Sequence, residues 1–274
     1  MLYSLNQKKL INYPFPILVQ DNFLEESFFN NLNKTFPNEI FDNIKFSERN
    51  RKNIRANSQY LKKFIDNNKD WKKLNTLLCS DKFLLEVFKI FKKDIDNEKL
   101  CINFSNTKFY EKIEFNKNFR LLSTETIRYY LTKIYLKIRK KYFNFLNTNV
   151  MRVDFFYAQA TKNYYKTIHT DNKSKIISGL FYFSDMENDS NLNIYIKKNP
   201  DEIISKDVKN DDLKSKLKIF KSFSVKPNKL ILFLNKPNSY HSVEPSTFKK
   251  KRNFIYFSIG FERNISPWNY ENPN

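Results

Sequence analysis

The spacing of apolar residues changes near residue 150, and this change limits the folds that the chain can adopt. Before it, apolar residues recur at helical intervals. After it, apolar and polar residues alternate in stretches that are rich in β-branched and aromatic residues, which predicts strands. These stretches are 151–161, 174–184, 192–198, 220–227, 229–235 and 251–262. Many short strands with no helices between them favour an antiparallel jelly roll or barrel.

Shorter features complete the prediction of an α+β fold. Two brief alternating stretches, around 164–168 and 240–244, bring the predicted strands to about eight. A charged segment, 201–218, interrupts them and is at most partly helical. The predicted helices are 21–37, 123–146, and 70–95 as two short helices or one broken helix. We therefore expect a mainly helical region, 1–150, and a β-core, 151–274, within one integrated domain.

The composition favours a folded chain and makes the high charge ambiguous. Hydrophobic residues are 41% and aromatic residues 17% of the 274 positions, which is enough for a buried core. The formal net charge of +20 would suit a nucleic-acid partner. However, the basic residues are spread along a chain that is also rich in Asn, Ile, Phe and Tyr, as an AT-rich genome would produce. We therefore favour a compositional origin of the charge over a dedicated nucleic-acid surface.

The cysteines and the apolar runs bear on location. Cys79 and Cys101 are the only cysteines, and they lack the spacing of a zinc site. Two lone thiols in a chain of this length suggest a reducing compartment. The N-terminal stretch has no continuous apolar run typical of a signal peptide. No stretch is long and apolar enough for a transmembrane helix. We expect a cytoplasmic protein without a membrane partner, and the sequence does not indicate its oligomeric state.

The chain contains two histidines, and each lies where a predicted strand begins or ends. His169 is followed by Asp171 in an H-x-D triplet, and alternate positions of a strand point to the same side. His241 lies at the start of another predicted strand. Two imidazoles and one carboxylate on one face of a metal leave the opposite positions open, which is typical of non-haem Fe(II) oxygenases. The alternative is two packed or surface histidines with a carboxylate nearby by chance.

A fourth residue extends the pattern. Arg252 lies one strand after His241, and a guanidinium can bind a carboxylate through two hydrogen bonds without losing its charge. The order H-x-D, a distant His and then Arg resembles the 2-oxoglutarate-dependent Fe(II) dioxygenase superfamily. The resemblance implies a double-stranded β-helix, or jelly roll, with helices packed on one side. It also implies that His169, Asp171 and His241 bind Fe(II), and that Arg252 binds the distal carboxylate of the cosubstrate 2-oxoglutarate.

The resemblance extends beyond these residues. The stretch 13–37 resembles the entry strand and first helix of the prolyl-hydroxylase-like branch of this superfamily. The stretch 169–202 is similar to a bacterial and phage group within that branch. Relatives often carry a glycine before the strand that contains "NIYI", where this chain has Asn191 and Leu192. This departure concerns the geometry of a turn rather than the metal ligands.

Strand alternation adds candidate residues around the metal. Polar groups that should line the barrel are Tyr157, Tyr182, Tyr256 and Ser258. The resemblance implies that a tyrosine hydroxyl helps the arginine to hold 2-oxoglutarate, and Tyr182 is the first choice for this role. Residues beside the ligands are candidates for substrate contact or imidazole orientation, namely Asn172, Lys173, Asn238 and Tyr240.

The function implied by the resemblance is hydroxylation of a C–H bond with release of succinate and CO₂. A small metabolite, a sugar or a peptide side chain would all suit the fold, and the basic balance favours an anionic substrate. The first alternative is an oxidative demethylase or hydroxylase of nucleic acid, which would use the positive charge to follow phosphates. The second is a β-barrel module that binds metal without catalysis.

Overall fold

The computed structural model describes residues 2–46, 50–98, 108–111, 150–185, 189–204, 210–247 and 250–261. The chain forms two compact units. One comprises Met1–Ile54 with Phe155–Asn274, and the other comprises Arg55–Asp154. The division at residue 150 into a helical region and a core within one domain stays a prediction.

The described helices lie mainly in the first half of the chain. They are α1 (Glu26–Lys34), α2 (Asn38–Asp42), α3 (Gln59–Asn67), α4 (Lys69–Leu78), α5 (Asp81–Ile90), α6 (Lys92–Asn97) and α7 (Asn210–Lys216). The predicted helix over 21–37 begins only at Glu26, because the side chain of Glu25 accepts hydrogen bonds from the backbone N–H groups of Ser27 and Phe28. The stretch 70–95 is broken as expected, and the helix predicted over 123–146 lies outside the described residues.

The strands follow the alternating stretches closely. They are β1 (Leu10–Ile11), β2 (Ile17–Gln20), β3 (Arg51–Arg55), β4 (Lys108–Glu111), β5 (Val150–Ala160), β6 (Lys166–His169), β7 (Lys175–Tyr182), β8 (Leu192–Lys197), β9 (Leu217–Phe223), β10 (Leu230–Leu234), β11 (His241–Val243) and β12 (Arg252–Gly260). The charged segment contains α7, and β9 begins earlier than predicted because Leu217 is buried against this helix.

Two sheets form the first unit. The larger has the strand order β1-β2-β10-β7-β12-β5-β3, and the smaller has the order β6-β11-β8-β9. Along these two strand orders the registered pairs are antiparallel, so the predicted combination of helices with antiparallel sheet is confirmed. The larger sheet also includes β4. In the second unit, β4 pairs in parallel with the first residues of β5.

The core of the first unit lies between these sheets. Its buried cluster joins Tyr182, Phe233 and Phe254 of the larger sheet to Ile194 and Val243 of the smaller one. The register of β7 and β12 places Tyr182 opposite Phe254 and Leu180 opposite Tyr256, so both strands direct alternate side chains into the same space. We call this side of the larger sheet its inner face.

The outer face of the larger sheet is covered by aromatic residues of the N-terminal segment. Phe29 of α1 contacts Phe181 and Phe183 at ring-centroid distances of 6.0 and 5.6 Å, and Phe36 contacts Phe183 at 5.3 Å. Because Phe181 alternates with the inward-facing Tyr182, helix α1 packs on the side away from the core. This arrangement agrees with the helical spacing of apolar residues in 21–37.

A smaller apolar cluster holds α7 against the outer side of the smaller sheet. Leu213 of α7 and Leu217 at the start of β9 are buried with Ile168 and Tyr195. Tyr240 packs against the same cluster. The charged segment between β8 and β9 is therefore anchored through these contacts rather than projecting freely.

Asparagine replaces glycine in the turns, as expected for a sequence with two glycines. Among the described residues, the non-glycine positions with a positive φ are Asn22, Asn50, Asn163, Asn228 and Ser190. Neither glycine has a positive φ. Gly179 and Gly260 serve close packing within β7 and β12 instead.

The second unit has helices with one buried face each. The cap of α4 is the side chain of Asn68, which accepts from the N–H of Trp71, and Ser80 caps α5 in the same way. Trp71, Leu74 and Leu78 form the buried stripe of α4. None of the helices that the structure describes is long and apolar enough to cross a membrane.

Candidate metal centre

The two histidines meet because their strands are neighbours. His169 ends β6 and His241 begins β11, and the antiparallel register places them opposite each other. Their ring centroids are 4.3 Å apart. Asp171 follows β6 by two residues, and one ligand atom from each of the three residues lies within 4.8 Å of the others. The structure thus brings together the three side chains that the sequence predicts to bind a metal.

Backbone carbonyls orient both imidazoles in the same manner. Nδ1 of His169 lies 2.8 Å from the carbonyl oxygen of Thr167, and Nδ1 of His241 lies 2.9 Å from that of Ser239. A carbonyl only accepts, so Nδ1 carries the proton in each ring and Nε2 keeps a free lone pair. Burial lowers the pKa of both histidines, that of His169 to about 3. Both rings are therefore neutral at pH 7, as metal ligands must be.

Two donors hold the carboxylate of Asp171. Nζ of Lys175 lies 3.1 Å from Oδ1, and the hydroxyl of Ser178 donates to Oδ2 at 2.6 Å. Burial alone would raise the pKa of Asp171, but the positive charge of Lys175 and the proximity of the histidines hold that pKa below its usual range. Asp171 is thus ionised, and its orientation is fixed from two sides.

The hydrogen-bond directions around Ser178 follow from this. A carboxylate only accepts, so the single hydroxyl proton of Ser178 goes to Asp171. The side-chain N–H of Asn235 then donates to Ser178 Oγ at 2.9 Å. Oδ1 of Asn235 is buried and has no partner among the described residues. This chain of donors ends in an acceptor that faces the interior beside the metal centre.

Lys175 points inward because β7 is irregular at its start. The register between β7 and β12 shifts at this point, so Gly260 pairs with Lys175. A Cβ on residue 260 would lie 2.2 Å from the carbonyl oxygen of Ser174, so only glycine permits this approach. The ammonium of Lys175 contacts the hydroxyl of Tyr256 and lies 4.9 Å from the centre of its ring. The bulge thus directs a charged side chain to the metal ligand.

Arg252 forms a second polar site on the same inner face. Its side chain is 2% exposed, and its terminal nitrogens donate to the carbonyl and hydroxyl of Ser190 and to the hydroxyl of Tyr182. The guanidinium also stacks against Tyr164, Tyr182 and Phe254. Within the described residues, no carboxylate pairs with it, and its Nε has no hydrogen-bond partner. A buried positive charge without a counter-ion is costly, which indicates a site for an anion.

The turn before β8 contributes to this site. Ser190 has a φ of 56°, a left-handed conformation that usually favours glycine. This conformation directs both its carbonyl and its hydroxyl to Arg252. The turn before Asn191 and Leu192 therefore forms without a glycine.

The other predicted cosubstrate residues divide between the two faces of the sheet. Tyr182 contacts Arg252, and burial raises the pKa of its hydroxyl, which stays protonated. Ser258 is buried opposite Ser178 in the register and lies near the metal ligands. The side chains of Ala158 and Ala160 belong to the core on the inner face. Tyr157 lies at an alternate position of β5 and points to the other face, as does Phe155, which stacks on Phe257. Tyr157 is therefore not brought together with Tyr182 and Arg252.

The four candidate substrate residues have different environments. Asn172 is exposed, and its side chain accepts from the N–H and the hydroxyl of Ser174, which forms the turn after Asp171. Lys173 is exposed in the same turn. Oδ1 of Asn238 is buried without a partner among the described residues, whereas Tyr240 packs against the cluster of α7. The substrate roles of these four residues stay predictions.

Sequence reasoning missed four residues of these two sites, and for different reasons. Lys175 and Ser178 lie four and seven positions after Asp171 within a predicted strand, and their contact with it depends on the bulge. Asn235 precedes His241 by six residues and reaches the site through Ser178. Ser190 contacts Arg252 because of its left-handed backbone conformation, which no sequence pattern predicted.

We expect the metal-free protein to lose stability between pH 7 and pH 5. In the unfolded chain, histidine takes up a proton with a pKa of about 6.5, whereas folded His169 stays neutral down to about 3. Stability from this group is fully present above about pH 6.5 and decreases as the pH falls toward 3. His169 alone should lower the free energy of unfolding by about 1 to 2 kcal/mol at pH 5. Urea unfolding at both pH values measures this, and equal stability would contradict it.

Comparison with known proteins gives low similarity throughout. No family model matches the chain, and no curated protein matches it. It is similar to a prolyl-4-hydroxylase from Pseudomonas putida, at 9% identity and a TM-score of 0.47, over 90% of this chain and 92% of that one. It is similar to HygX from Streptomyces hygroscopicus, solved with nickel, 2-oxoglutarate and hygromycin B bound, at 10% identity and a TM-score of 0.47, over 92% and 85%.

A shorter match covers less than half of each chain. An oxidoreductase of the 2OG-Fe(II) oxygenase family from Burkholderia pseudomallei matches at 9% identity and a TM-score of 0.30, over 41% of this chain and 46% of that one. At such identities and TM-scores, the chemistry of this chain has to be inferred from its own side chains.

Proposed function

We propose that the protein is a non-haem Fe(II), 2-oxoglutarate-dependent dioxygenase that hydroxylates a C–H bond of its substrate. The observation that carries the proposal is the placement of two complementary sites on one inner face. Ser178 and Tyr182 both lie on this face of β7, with roughly 13 Å between their Cα atoms at 3.3 Å per residue. Ser178 contacts Asp171 of the metal centre, and Tyr182 contacts Arg252. A short dicarboxylate between them can reach both a metal and the guanidinium.

The strand order supports a double-stranded β-helix as the scaffold. From β5 to β12, successive strands alternate between the larger and the smaller sheet, apart from the adjacent β8 and β9. The two four-stranded layers are then β10-β7-β12-β5 and β6-β11-β8-β9. Such alternation between two sheets supports the winding of a jelly roll.

The donor set fits Fe(II). His169, Asp171 and His241 offer two neutral imidazoles and one ionised carboxylate, which is the facial triad of non-haem Fe(II) oxygenases. Each Nε2 lone pair is available because Nδ1 is bound to a backbone carbonyl. Three protein ligands leave further coordination positions for a cosubstrate.

The donor set around Arg252 fits the distal carboxylate of 2-oxoglutarate. The guanidinium is buried without an acidic partner in the described part of the chain. The hydroxyl of Tyr182 accepts from Arg252, so its own proton can be donated to a bound carboxylate. Such charge-assisted hydrogen bonds are stronger than neutral ones, particularly away from water.

The protein side chains and the bound groups would have different roles in the reaction. When bound, Fe(II) and 2-oxoglutarate supply the oxidation of a C–H bond by O₂, with succinate and CO₂ as the other products. His169, Asp171 and His241 hold the metal, and Arg252 with Tyr182 holds the cosubstrate. Apolar side chains of the core would exclude water from this space. One of them is Phe233, whose ring centroid lies 4.9 Å from that of His241.

The substrate proposed is a small metabolite, a sugar or a peptide side chain. The net charge of +20 favours an anionic molecule. The side chain of Asn235 donates to Ser178 beside the triad, and its amide oxygen is buried without a partner among the described residues, which favours a substrate that also carries hydrogen-bond donors. Tight binding of single-stranded oligonucleotides that weakens steeply with salt would redirect the proposal to nucleic acid.

The test measures metal binding and cosubstrate turnover. We expect the wild-type protein to bind Fe(II) anaerobically and, once O₂ is admitted, to convert 2-oxoglutarate slowly to succinate without added substrate. His241→Ala should lower metal affinity by at least about 100-fold, because losing a ligand costs more than losing a hydrogen-bond partner of a ligand, which costs about 10- to 100-fold. Lys162→Ala, which alters an exposed residue of the same unit, is the matched control. Absence of metal binding, or turnover unaffected by His241→Ala, would refute the proposal.

A further inference from the structure

Lys175 places a positive charge against the metal-ligand carboxylate. Its Nζ lies 3.1 Å from Asp171 Oδ1, and the two side chains are only 19% and 12% exposed. A divalent cation bound by the triad would share this carboxylate with the ammonium. The ammonium therefore has to be considered together with the metal that the triad would bind.

The position of this ammonium is built into the core rather than incidental. The bulge at the start of β7, made possible by Gly260, turns Lys175 toward the inner face. The ring and the hydroxyl of Tyr256 then support the ammonium from the side of β12. The carboxylate of Asp171 and the face of the Tyr256 ring both favour the charged form of Lys175.

The charge balance of the centre depends on Lys175. Without metal, each imidazole has its Nδ1 proton bound to a backbone carbonyl, so the one negative charge is that of the Asp171 carboxylate, which the ammonium of Lys175 cancels. With a divalent cation present, the cation and the ammonium share one carboxylate and repel each other at short range. The other donor to Asp171, Ser178, is neutral and orients the carboxylate without this repulsion.

We propose that Lys175 is a resident counter-ion of the metal centre, which keeps the empty site assembled and weakens the binding of a divalent cation. This inference rests on the proposed function, because it requires that the triad binds a metal. It predicts effects of opposite sign for the two residues that contact Asp171. Removing the charge of Lys175 strengthens metal binding, whereas removing the hydroxyl of Ser178 weakens it.

The experiment titrates the metal-free protein with Mn(II) and Co(II) by calorimetry at pH 7.5. We expect Lys175→Met to lower the dissociation constant by at least about tenfold, because a like charge near the cation is removed. Ser178→Ala should raise the dissociation constant by about tenfold, because Asp171 loses a hydrogen bond that orients its carboxylate. Lys218→Met removes the same charge from an exposed position of β9 and should leave the constant unchanged within about threefold.

The thermal stability of the same variants gives an independent readout. Metal-free Lys175→Met should melt at a lower temperature than wild type, because Asp171 loses its counter-ion, and saturating metal should remove most of this difference. If Lys175→Met does not fold without metal, Lys175→Gln provides the same comparison with a polar side chain. Lys175→Arg keeps a positive charge and should therefore not bind metal more tightly than wild type.

The outcomes separate this inference from the proposed function. If the wild-type protein binds no divalent cation, the proposed function fails. If the wild type binds metal but Lys175→Met and Lys175→Gln bind it equally well or more weakly, the counter-ion role is wrong and the proposed function stands. Tighter binding by both variants, with Ser178→Ala weaker than wild type, supports the counter-ion role.

Discussion

Replacing Arg252 by methionine is expected to weaken the binding of 2-oxoglutarate by at least about 30-fold, since truncating one partner of a buried charge pair costs about 2–5 kcal/mol. Metal binding should be retained, because Arg252 contacts Ser190 and Tyr182 rather than the triad. Calorimetric titration of the Mn(II)-loaded protein with 2-oxoglutarate measures both properties. Lys251→Met, which removes a charge from the adjacent exposed position, is the control.

The stability of the same variant distinguishes a binding role from a structural one. In the ligand-free protein, the guanidinium is buried without a carboxylate partner among the described residues. Replacing such a charge by an apolar side chain of similar length is often neutral or stabilising. We therefore expect the free energy of unfolding of Arg252→Met to fall by less than about 1 kcal/mol. Unchanged 2-oxoglutarate affinity together with a large loss of stability would show that Arg252 only supports the fold.

Replacing Gly260 by alanine is expected to destabilise the protein by about 3 kcal/mol, at the upper end of the usual cost of overpacking. A Cβ at this position would lie 2.2 Å from the carbonyl oxygen of Ser174 and 2.7 Å from Cα of Lys175. Both are backbone atoms, so β7 and β12 would have to separate where they support the metal centre. Urea unfolding of the metal-free protein measures the loss.

Gly179→Ala provides the matched comparison for this prediction. Its Cβ would meet side-chain atoms only, at 2.3 Å from the ring of Phe257 and 2.9 Å from Leu232 Cδ2. Side chains can adjust more readily than backbone, so this variant should lose less stability, about 1–2 kcal/mol. Equal losses for the two variants would show that the backbone approach at Gly260 does not matter.

The β-rich half of the fold was predictable from the sequence because its strands lie between two layers. Alternation over 174–184 and 251–262 reflects the inner and outer faces of β7 and β12, which meet different neighbours. Strand β3 could not be predicted in this way. Its sequence, RKNIR, is mostly charged, and it is a strand because it lies at the edge of the larger sheet beside β5.

The metal ligands were predictable because residue type and spacing carry the chemistry directly. His169, Asp171 and His241 needed only the assumption that β6 and β11 are neighbours, which the register bears out. Tyr157 shows the limit of alternation as a guide. One residue of offset along β5 places its side chain with Phe155, on the opposite face from Ala158. The alternation of a strand indicates two faces but not which of them looks inward.

The cluster that anchors α7 has a consequence for how this chain tolerates change. Leu213 and Leu217 pack against Ile168 and Tyr240, and these are the residues that immediately precede His169 and His241. A deletion of the charged segment, 201–218, would therefore remove buried apolar contacts as well as surface residues. It would expose to solvent the outer sides of both ligand-bearing strands, β6 and β11. Substitutions or insertions in this exterior segment would therefore change the spacing of the two imidazoles. A metal centre transferred to another protein would have to include the segment.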